Sequence, residues 1–435
     1  MLGNNEWFFI ILIIGRGEMV RKEYRMREPQ LSPDYEQNKQ HNKSCLLMYS
    51  GGVDTSCCVY ILQHYYGYRV ITCTVDVGQR VLDVQAMGEK AMQLGAARHL
   101  TVDAKEEYAA RCVVPVIKAN ALYDDFYPLG TSVARPLMAE KAVEAALKEQ
   151  VDAVAHGCKG RGADAFRLNM TFYFKLPKSI KLVMPINDWW PTRQEEVDFA
   201  YAHGIPVPVS QREPFSYDDN LLSNAINYGS IDKIESSVPE HAFRWTVPLE
   251  RAPRTPALVS IHFERGIPVA VNGAPMKLVD IMRHLNELGG NYGIGRVDMI
   301  ENGLYGNKFR WVYECPGAEL LLMAHKDLER VTLPKESLMF KHHLVDPKWA
   351  TLAYNCSFHS PLAKALEKFI EEMNNYVTGS VTLRLVPGVA TVVTRESPYS
   401  LVGYDPKDIV PRDKMDTLPY GFEEYAFAGL HAYKE

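Results

Sequence analysis

Tyr49-Ser50-Gly51-Gly52-Val53-Asp54-Thr55-Ser56 is the stretch on which the fold turns. Before it, Cys45-Leu46-Leu47-Met48-Tyr49 is a short apolar run, and after it helical apolar spacing continues to Tyr66. The glycines between permit positive φ and let the backbone approach an anion with no Cβ in the way. Free N–H groups and the dipole at the helix start favour negative charge there. Ser50, Thr55 and Ser56 add hydroxyl donors. The stretch has neither the lysine of the kinase and GTPase phosphate loop nor the GxGxxG dinucleotide fingerprint. A strand, a glycine corner and a helix together predict a pyrophosphate-binding loop.

Outward from that corner, short apolar runs alternate with helices. Val70 to Val77 and His99 to Val102 read as strands, and Val151 to Ala155 as another that runs into His156-Gly157. Val81 to Ala96, Glu106 to Ala119 and Ala134 to Gln150 read as helices. This alternation predicts a parallel sheet wrapped by helices, with ligands at the edge where the post-strand loops gather. Thr192-Arg193-Gln194-Glu195 is a capping box opening a helix to about His203. Ser210 to Arg254 is irregular and reads as a boundary. Beyond it, Ala257 to Phe263 and Ile267 to Val271 read as strands, Leu278 to Leu288 as a helix, and Val381 to Val386 with Val389 to Val393 as a hairpin. That texture is α+β.

At 435 residues the chain exceeds what one core usually serves, so two domains are expected. A net charge of -5 argues against a broad nucleic-acid footprint, although a local basic patch stays open. The 8 cysteines form no CxxC pair and no zinc-like grouping, and read as small buried hydrophobes of a reducing compartment. Trp7 to Ile14 is apolar but far shorter than the roughly 20 residues that span a bilayer. No Lys or Arg precedes it, as a signal peptide requires. Translation is therefore expected to start at Met19 or Met26, and residues 21–44, polar and without period, read as a loose leader.

The Ser50–Ser56 motif on such a sheet resembles the loop of the N-type ATP pyrophosphatases, the adenine nucleotide alpha-hydrolase-like enzymes that split ATP between the α and β phosphates. Within that superfamily the chain resembles the argininosuccinate synthase family from Cys45 to about Val393. The blocks carrying the resemblance include Val75-Asp76-Val77-Gly78-Gln79, Leu129-Gly130-Thr131-Ser132 and Ala134-Arg135-Pro136. His156-Gly157, His203 to Pro208, Gly293 to Asn302, Tyr313-Glu314 and Arg395 to Pro398 follow in order.

The resemblance implies a cytoplasmic ATP-dependent ligase that joins citrulline to aspartate and releases AMP and pyrophosphate, with Mg2+ accompanying the triphosphate. It implies a nucleotide-binding α/β domain over 45–210, an α+β synthetase domain over 211–403, and a 404–435 tail embracing neighbours in a homotetramer. No membrane or nucleic-acid partner is implied. By the same resemblance Met48, Tyr49, Ser50, Gly51, Gly52, Asp54, Thr55 and Ser56 hold ATP, Val75 lines the adenine and Gly157 closes over the nucleotide. Ser50, Asp54 and Asp164 are the expected catalytic residues, Asp164 meeting the incoming amine. Tyr127, Thr131, Ser132, Arg167, Ser216, Glu301 and Tyr313 make the citrulline-type pocket. Their chemistry suits an α-amino acid: Arg167 can grip a carboxylate and Glu301 an ammonium.

The chain departs from the family on the amino-acid side. Lys159 stands for a usual Thr and Ala163 for an Asn, both at the aspartate site; Asn169 stands for a Glu, Ala225 for a Ser, and Ile186-Asn187 for a Trp-Arg pair. Lys159 would bring a positive charge able to hold an acidic nucleophile. Two readings of the acceptor follow: the family's own reaction with a re-tooled aspartate site, or a paralogous adenylate-forming ligase using another acceptor and amine. The complete loop argues against a non-catalytic ATP sensor. The lack of a reactive cysteine pair and a basic surface argues against tRNA thiolation.

Overall fold

The computed structural model describes residues 28–80, 83–160, 162–189, 191–206 and 215–402, together with the backbone of 8–14 and 18–24. The chain divides into two compact units. One comprises Met1–Asp76, Val81–Asp103 and Met138–Gln211; the other comprises Val77–Arg80, Ala104–Leu137 and Arg212–Glu435.

In the first unit, β1 (Phe8–Ile14) and β2 (Glu18–Tyr24) form an antiparallel hairpin with Ile11 opposite Arg21. The expected loose leader departs from its reading downstream, where α1 (Tyr35–Gln40) forms and buried Asn38 donates to the Tyr66 carbonyl at 2.9 Å. A tertiary hydrogen bond, invisible to composition, holds that segment. The main sheet consists of β3 (Ser44–Met48), β4 (Arg69–Asp76), β5 (Arg98–Asp103), β6 (Ala153–Ala155) and β7 (Lys181–Val183). Its order is β5-β4-β3-β6-β7 and every pairing is parallel. β3 is buried along its whole length, as an apolar run covered on both faces must be.

Helix α2 (Val53–His64) packs Cys57, Cys58, Ile61 and Leu62 into a core shared with Trp189 and Phe199. Because β3 has β4 on one side and β6 on the other, the chain reverses its direction of build at β3. The loops after β3 and β6 therefore leave the same sheet edge, the usual ligand position. Helix α3 (Val84–Gln93) begins later than the apolar stripe suggests, because Asp83 caps it by accepting from the Ala86 amide at 2.9 Å. The capping box at Thr192 and Glu195 forms as read, with both reciprocal bonds present.

The second unit differs from the expected division at residue 210, since Ala104–Leu137 groups with the C-terminal part. Long-range polar contacts are the reason. Lys118 pairs with Glu371 at 2.7 Å, and Asn120 donates to Glu329 at 2.6 Å. Within this unit one antiparallel sheet runs Arg296–Asn302, Lys308–Glu314, Asn224–Asn227, Ser216–Asp219. The two last strands lie inside the stretch read as irregular; at four residues each they are too short to show a period. A second antiparallel sheet runs Ala274–Pro275, Ile267–Val271, Ala257–Glu264, Gly379–Val386, Val389–Glu396. The expected hairpin and the helix, here Leu278–Asn291, are present. Residues 404–435 lie outside the described residues.

The cysteines are thiols rather than disulfides; Cys158 is half-buried and the other seven are buried, as expected of small hydrophobes. No helix among the described residues is long and apolar enough to cross a membrane.

Candidate functional site

The glycine corner adopts the conformation its residues permit. Gly51 has φ +73°, and Gly52 is the N-cap of α2 with no side-chain cap, so the first-turn amides are left without the usual hydroxyl or carboxylate partner. The Ser50 and Thr55 hydroxyls lie 3.1 Å apart, and the Thr55 hydroxyl donates to the Gly52 carbonyl at 3.3 Å. A Cβ on Gly157 would stand 3.1 Å from the Thr55 methyl, so glycine there keeps the second loop against the first. Met48, Tyr49 and Val75 are buried beside this corner's strands. An uncapped helix start ringed by hydroxyls fits a phosphate chain.

Asp54, in the first turn of α2, meets Arg193 Nη1 at 2.7 Å; the same nitrogen lies 3.1 Å from Glu196, and Lys159 Nζ lies 3.1 Å from the other Glu196 oxygen. Lys159 also donates to the Pro191 carbonyl at 2.9 Å. Lys159 thus serves a buried carboxylate of its own unit. Neither Arg193 nor Glu196 carried a functional signal in the sequence beyond their place in a capped helix. Burial, then Asp54, pushes the Glu196 carboxyl up to about 7 even with Lys159 beside it.

A raised carboxyl holds its proton in the folded chain where the unfolded chain has lost it. Its effect on stability is therefore a loss as pH rises from about 4.5 to about 7. Lys159→Met removes a neutralising cation and extends that window upward. The expected destabilisation is about 1–3 kcal/mol at pH 8, below a fully buried pair because Lys159 keeps 37% exposure, and clearly smaller at pH 5.5. Thermal melts across this range test it; a loss independent of pH would mean that Lys159 acts by packing alone.

After the second loop, Arg167 is buried and its Nη1 donates to Asp164 at 3.1 Å, one helical turn away. Ala163 opens the same helix, Ala163–Lys175. Asn169 Oδ1 accepts from His156 Nε2 at 2.8 Å, and burial holds the His156 pKa below its ordinary value. Asn187 lies over Gly160, where a Cβ would meet its Oδ1 at 2.2 Å.

The other expected residues fall in the second unit. Tyr127 is buried, and its hydroxyl accepts from the Thr131 and Ser132 amides at 2.8 and 3.2 Å. It thereby caps the start of the helix Gly130–Glu149. Ser132 Oγ is buried with no hydrogen-bond partner among the described residues. Tyr127 stacks on Tyr313 with ring centres 4.4 Å apart. Tyr313 donates to Glu301 at 2.6 Å, and Tyr354 donates to the other Glu301 oxygen at 2.5 Å. Burial, reinforced by the Glu301 charge, pushes the Tyr313 phenol well up. Tyr354 carries no functional signal in the sequence; a tyrosine closing a helix, here Asp346–Tyr354, reads only as core. Ala225 lies beside Tyr313 in register, and Ser216 is exposed at a strand start.

Among the described residues one trio has metal-ligand character, Glu329, His342 and Asp346. Lys341 Nζ already stands at 2.8 Å from both Glu329 and Asp346, so an ammonium offsets one of the trio's two carboxylate charges.

The chain matches two family models end to end along most of its length. Residues 44–206 match the arginosuccinate synthase N-terminal HUP domain, and 215–430 the arginosuccinate synthase C-terminal domain. The chain belongs to the argininosuccinate synthase family. It is 45% identical to the argininosuccinate synthase of Pyrobaculum aerophilum, over 81% of this chain and 88% of that one. It is also 45% identical to that of Pyrococcus furiosus, over 83% and 86%, and 42% identical to that of Bacillus pumilus, over 86% and 92%. Argininosuccinate synthase membership accounts for the parallel sheet with the glycine corner and for the antiparallel sheets that follow. The chain is accordingly an ATP-using carbon–nitrogen ligase by family.

Proposed function

We propose that this chain joins citrulline to aspartate at the expense of ATP. The ureido oxygen of citrulline attacks the α-phosphorus and pyrophosphate leaves. The aspartate amine then attacks the ureido carbon and AMP leaves. Adenylation is needed because a ureido carbon is a poor electrophile until its oxygen becomes a good leaving group. The observation that carries this reading is the uncapped corner at Ser50–Ser56, a cradle for a phosphate chain. Catalysis is then mainly positioning and neutralisation of charge.

In this reading Ser50, Thr55 and Ser56 hold phosphate oxygens, and Val75 and Gly157 flank the nucleoside. Mg2+ supplies charge neutralisation on the triphosphate, and Asp54 is an oxygen donor of the type it takes. Asp164 receives the incoming amine, with Arg167 at the carboxylate of an amino acid. Tyr127, Thr131, Ser132, Ser216, Glu301 and Tyr313 receive citrulline. A homotetramer in the cytoplasm completes the proposal. Purified protein with ATP, citrulline and aspartate should release AMP and pyrophosphate together. ADP as product, or turnover only with other amino-acid pairs, would overturn the reading.

Glu301 offers the sharpest check on the amino-acid side. Its buried carboxylate is held by two tyrosine hydroxyls and would pair the citrulline ammonium. Glu301→Gln is expected to raise KM for citrulline about 10–100-fold, the worth of a charge-assisted hydrogen bond. The KM for ATP should stay near its original value. An unchanged citrulline KM would remove Glu301 from the pocket.

A further inference from the structure

Among the described residues three cations reach the glycine corner or the side chains bonded to it, and they differ in what neutralises them. Arg193 faces Asp54 and Glu196, and Lys159 faces Glu196. Lys90, in α3, donates to the carbonyl of Gly51 at 2.6 Å, and among the described residues no carboxylate pairs with its Nζ. It is half-buried, and burial holds its pKa below the ordinary lysine value. A peptide carbonyl satisfies one donor of an ammonium and leaves its charge uncompensated. Charge placed in a partly desolvated position without a counter-ion is costly unless an anion arrives.

The same helix also shapes the corner. A Cβ on Gly51 would stand 2.3 Å from Met87 Sδ, so α3 packs against the loop through Met87 and binds it through Lys90, one turn apart. The Lys90 ammonium is therefore fixed at the residue whose positive φ opens the phosphate cradle. The two neighbouring cations are already paired with carboxylates; among the described residues at this corner, Lys90 is the charge left over.

We propose that Lys90 is a further ligand of the ATP triphosphate, supplying the positive charge that the glycine corner itself lacks. Lysine suits this task as a compact point charge with three donors, one spent on Gly51 and two left for phosphate oxygens. The inference rests on the reading of Ser50–Ser56 as the ATP site and adds a residue outside that loop to it.

The competing role is mechanical, a clamp on the Gly51 carbonyl with no contact to the nucleotide. Three substitutions separate the two roles. Lys90→Gln keeps a donor for the carbonyl and loses the charge; Lys90→Met loses both; Lys90→Arg keeps both. Pyrophosphate release is measured at saturating citrulline and aspartate, with KM determined for ATP and for citrulline. The KM for ATP is expected to rise about 10–100-fold in the Gln and Met variants and to recover most of the way in the Arg variant. The citrulline KM should stay within about twofold, since a uniform loss of binding to one substrate leaves the other unmoved. Wild-type-like ATP KM in Lys90→Gln with a raised value in Lys90→Met would overturn the proposal in favour of a clamp, and wild-type-like values in all three would overturn it with no clamp in its place. Should Lys90→Met fail to fold, the Gln and Arg pair still decides. If the unaltered protein neither binds nor splits ATP, the reading of the loop falls, and this inference with it. If it splits ATP and the variants match it, this inference falls alone.

Discussion

Asp54→Ala is expected to suppress AMP release with every amino-acid pair, lowering kcat by at least about a thousandfold, or about 4 kcal/mol of barrier. The argument starts from what Asp54 does not do for the fold. Its side chain is 42% exposed and its ion pair with Arg193 is open to solvent, so the pair itself contributes at most about 1 kcal/mol. A carboxylate beside a phosphate cradle is otherwise repulsive. Under the proposed function it would be an oxygen donor to a divalent ion carried with ATP. Removing it should leave the melting temperature within about 2–4 °C while ending turnover. Asp54→Asn, similar in size and neutral, should be nearly as inactive. Normal AMP formation by either variant would take Asp54 out of the mechanism.

Glu314→Gln is expected to show the opposite division, a large loss of stability from a residue with no proposed substrate contact of its own. The Glu314 carboxylate is fully buried. It accepts from the Arg244, Trp245 and Thr246 amides at 3.0, 2.8 and 2.8 Å, from the Thr246 hydroxyl at 2.8 Å and from Asn224 at 2.8 Å. One acidic side chain thus ties a segment without regular structure to two strands. Glutamine matches the shape but turns an NH2 group toward donors, leaving amides buried and unsatisfied. The expected cost is about 3–5 kcal/mol. Thermal or urea unfolding should register a fall on the order of 6–20 °C. A shift under about 2 °C would mean that residues 244–246 find other acceptors.

How far these features could be read beforehand varies with the physics behind each. The corner at Ser50–Ser56 was legible because every part of it is local: an apolar run, two glycines and a helix start lie consecutively. The Thr192–Glu195 box was legible for the same reason, and both bonds are present. Tyr354 and Lys90 were not, since a tyrosine or lysine on a helix looks like core or surface until its partner is known. Lys159 is instructive. As a residue type it suggested a new anion contact, but the structure places it on the buried Glu196. The short strands Ser216–Asp219 and Asn224–Asn227 read as irregular because four residues show no period, and Asn224–Asn227 is held in its sheet by a strand far along the chain, Lys308–Glu314.

Sequence alone determined the parallel α/β order, the glycine corner and the family, because strand burial, glycine permissiveness and helix capping act over a few consecutive residues. Only the tertiary structure decided which charges are spent and which are spare. Whether Arg193, Lys159 or Lys90 faces a carboxylate depends on residues that distant elements bring within about 3 Å, where Coulomb energy is strong and local sequence carries no record of it.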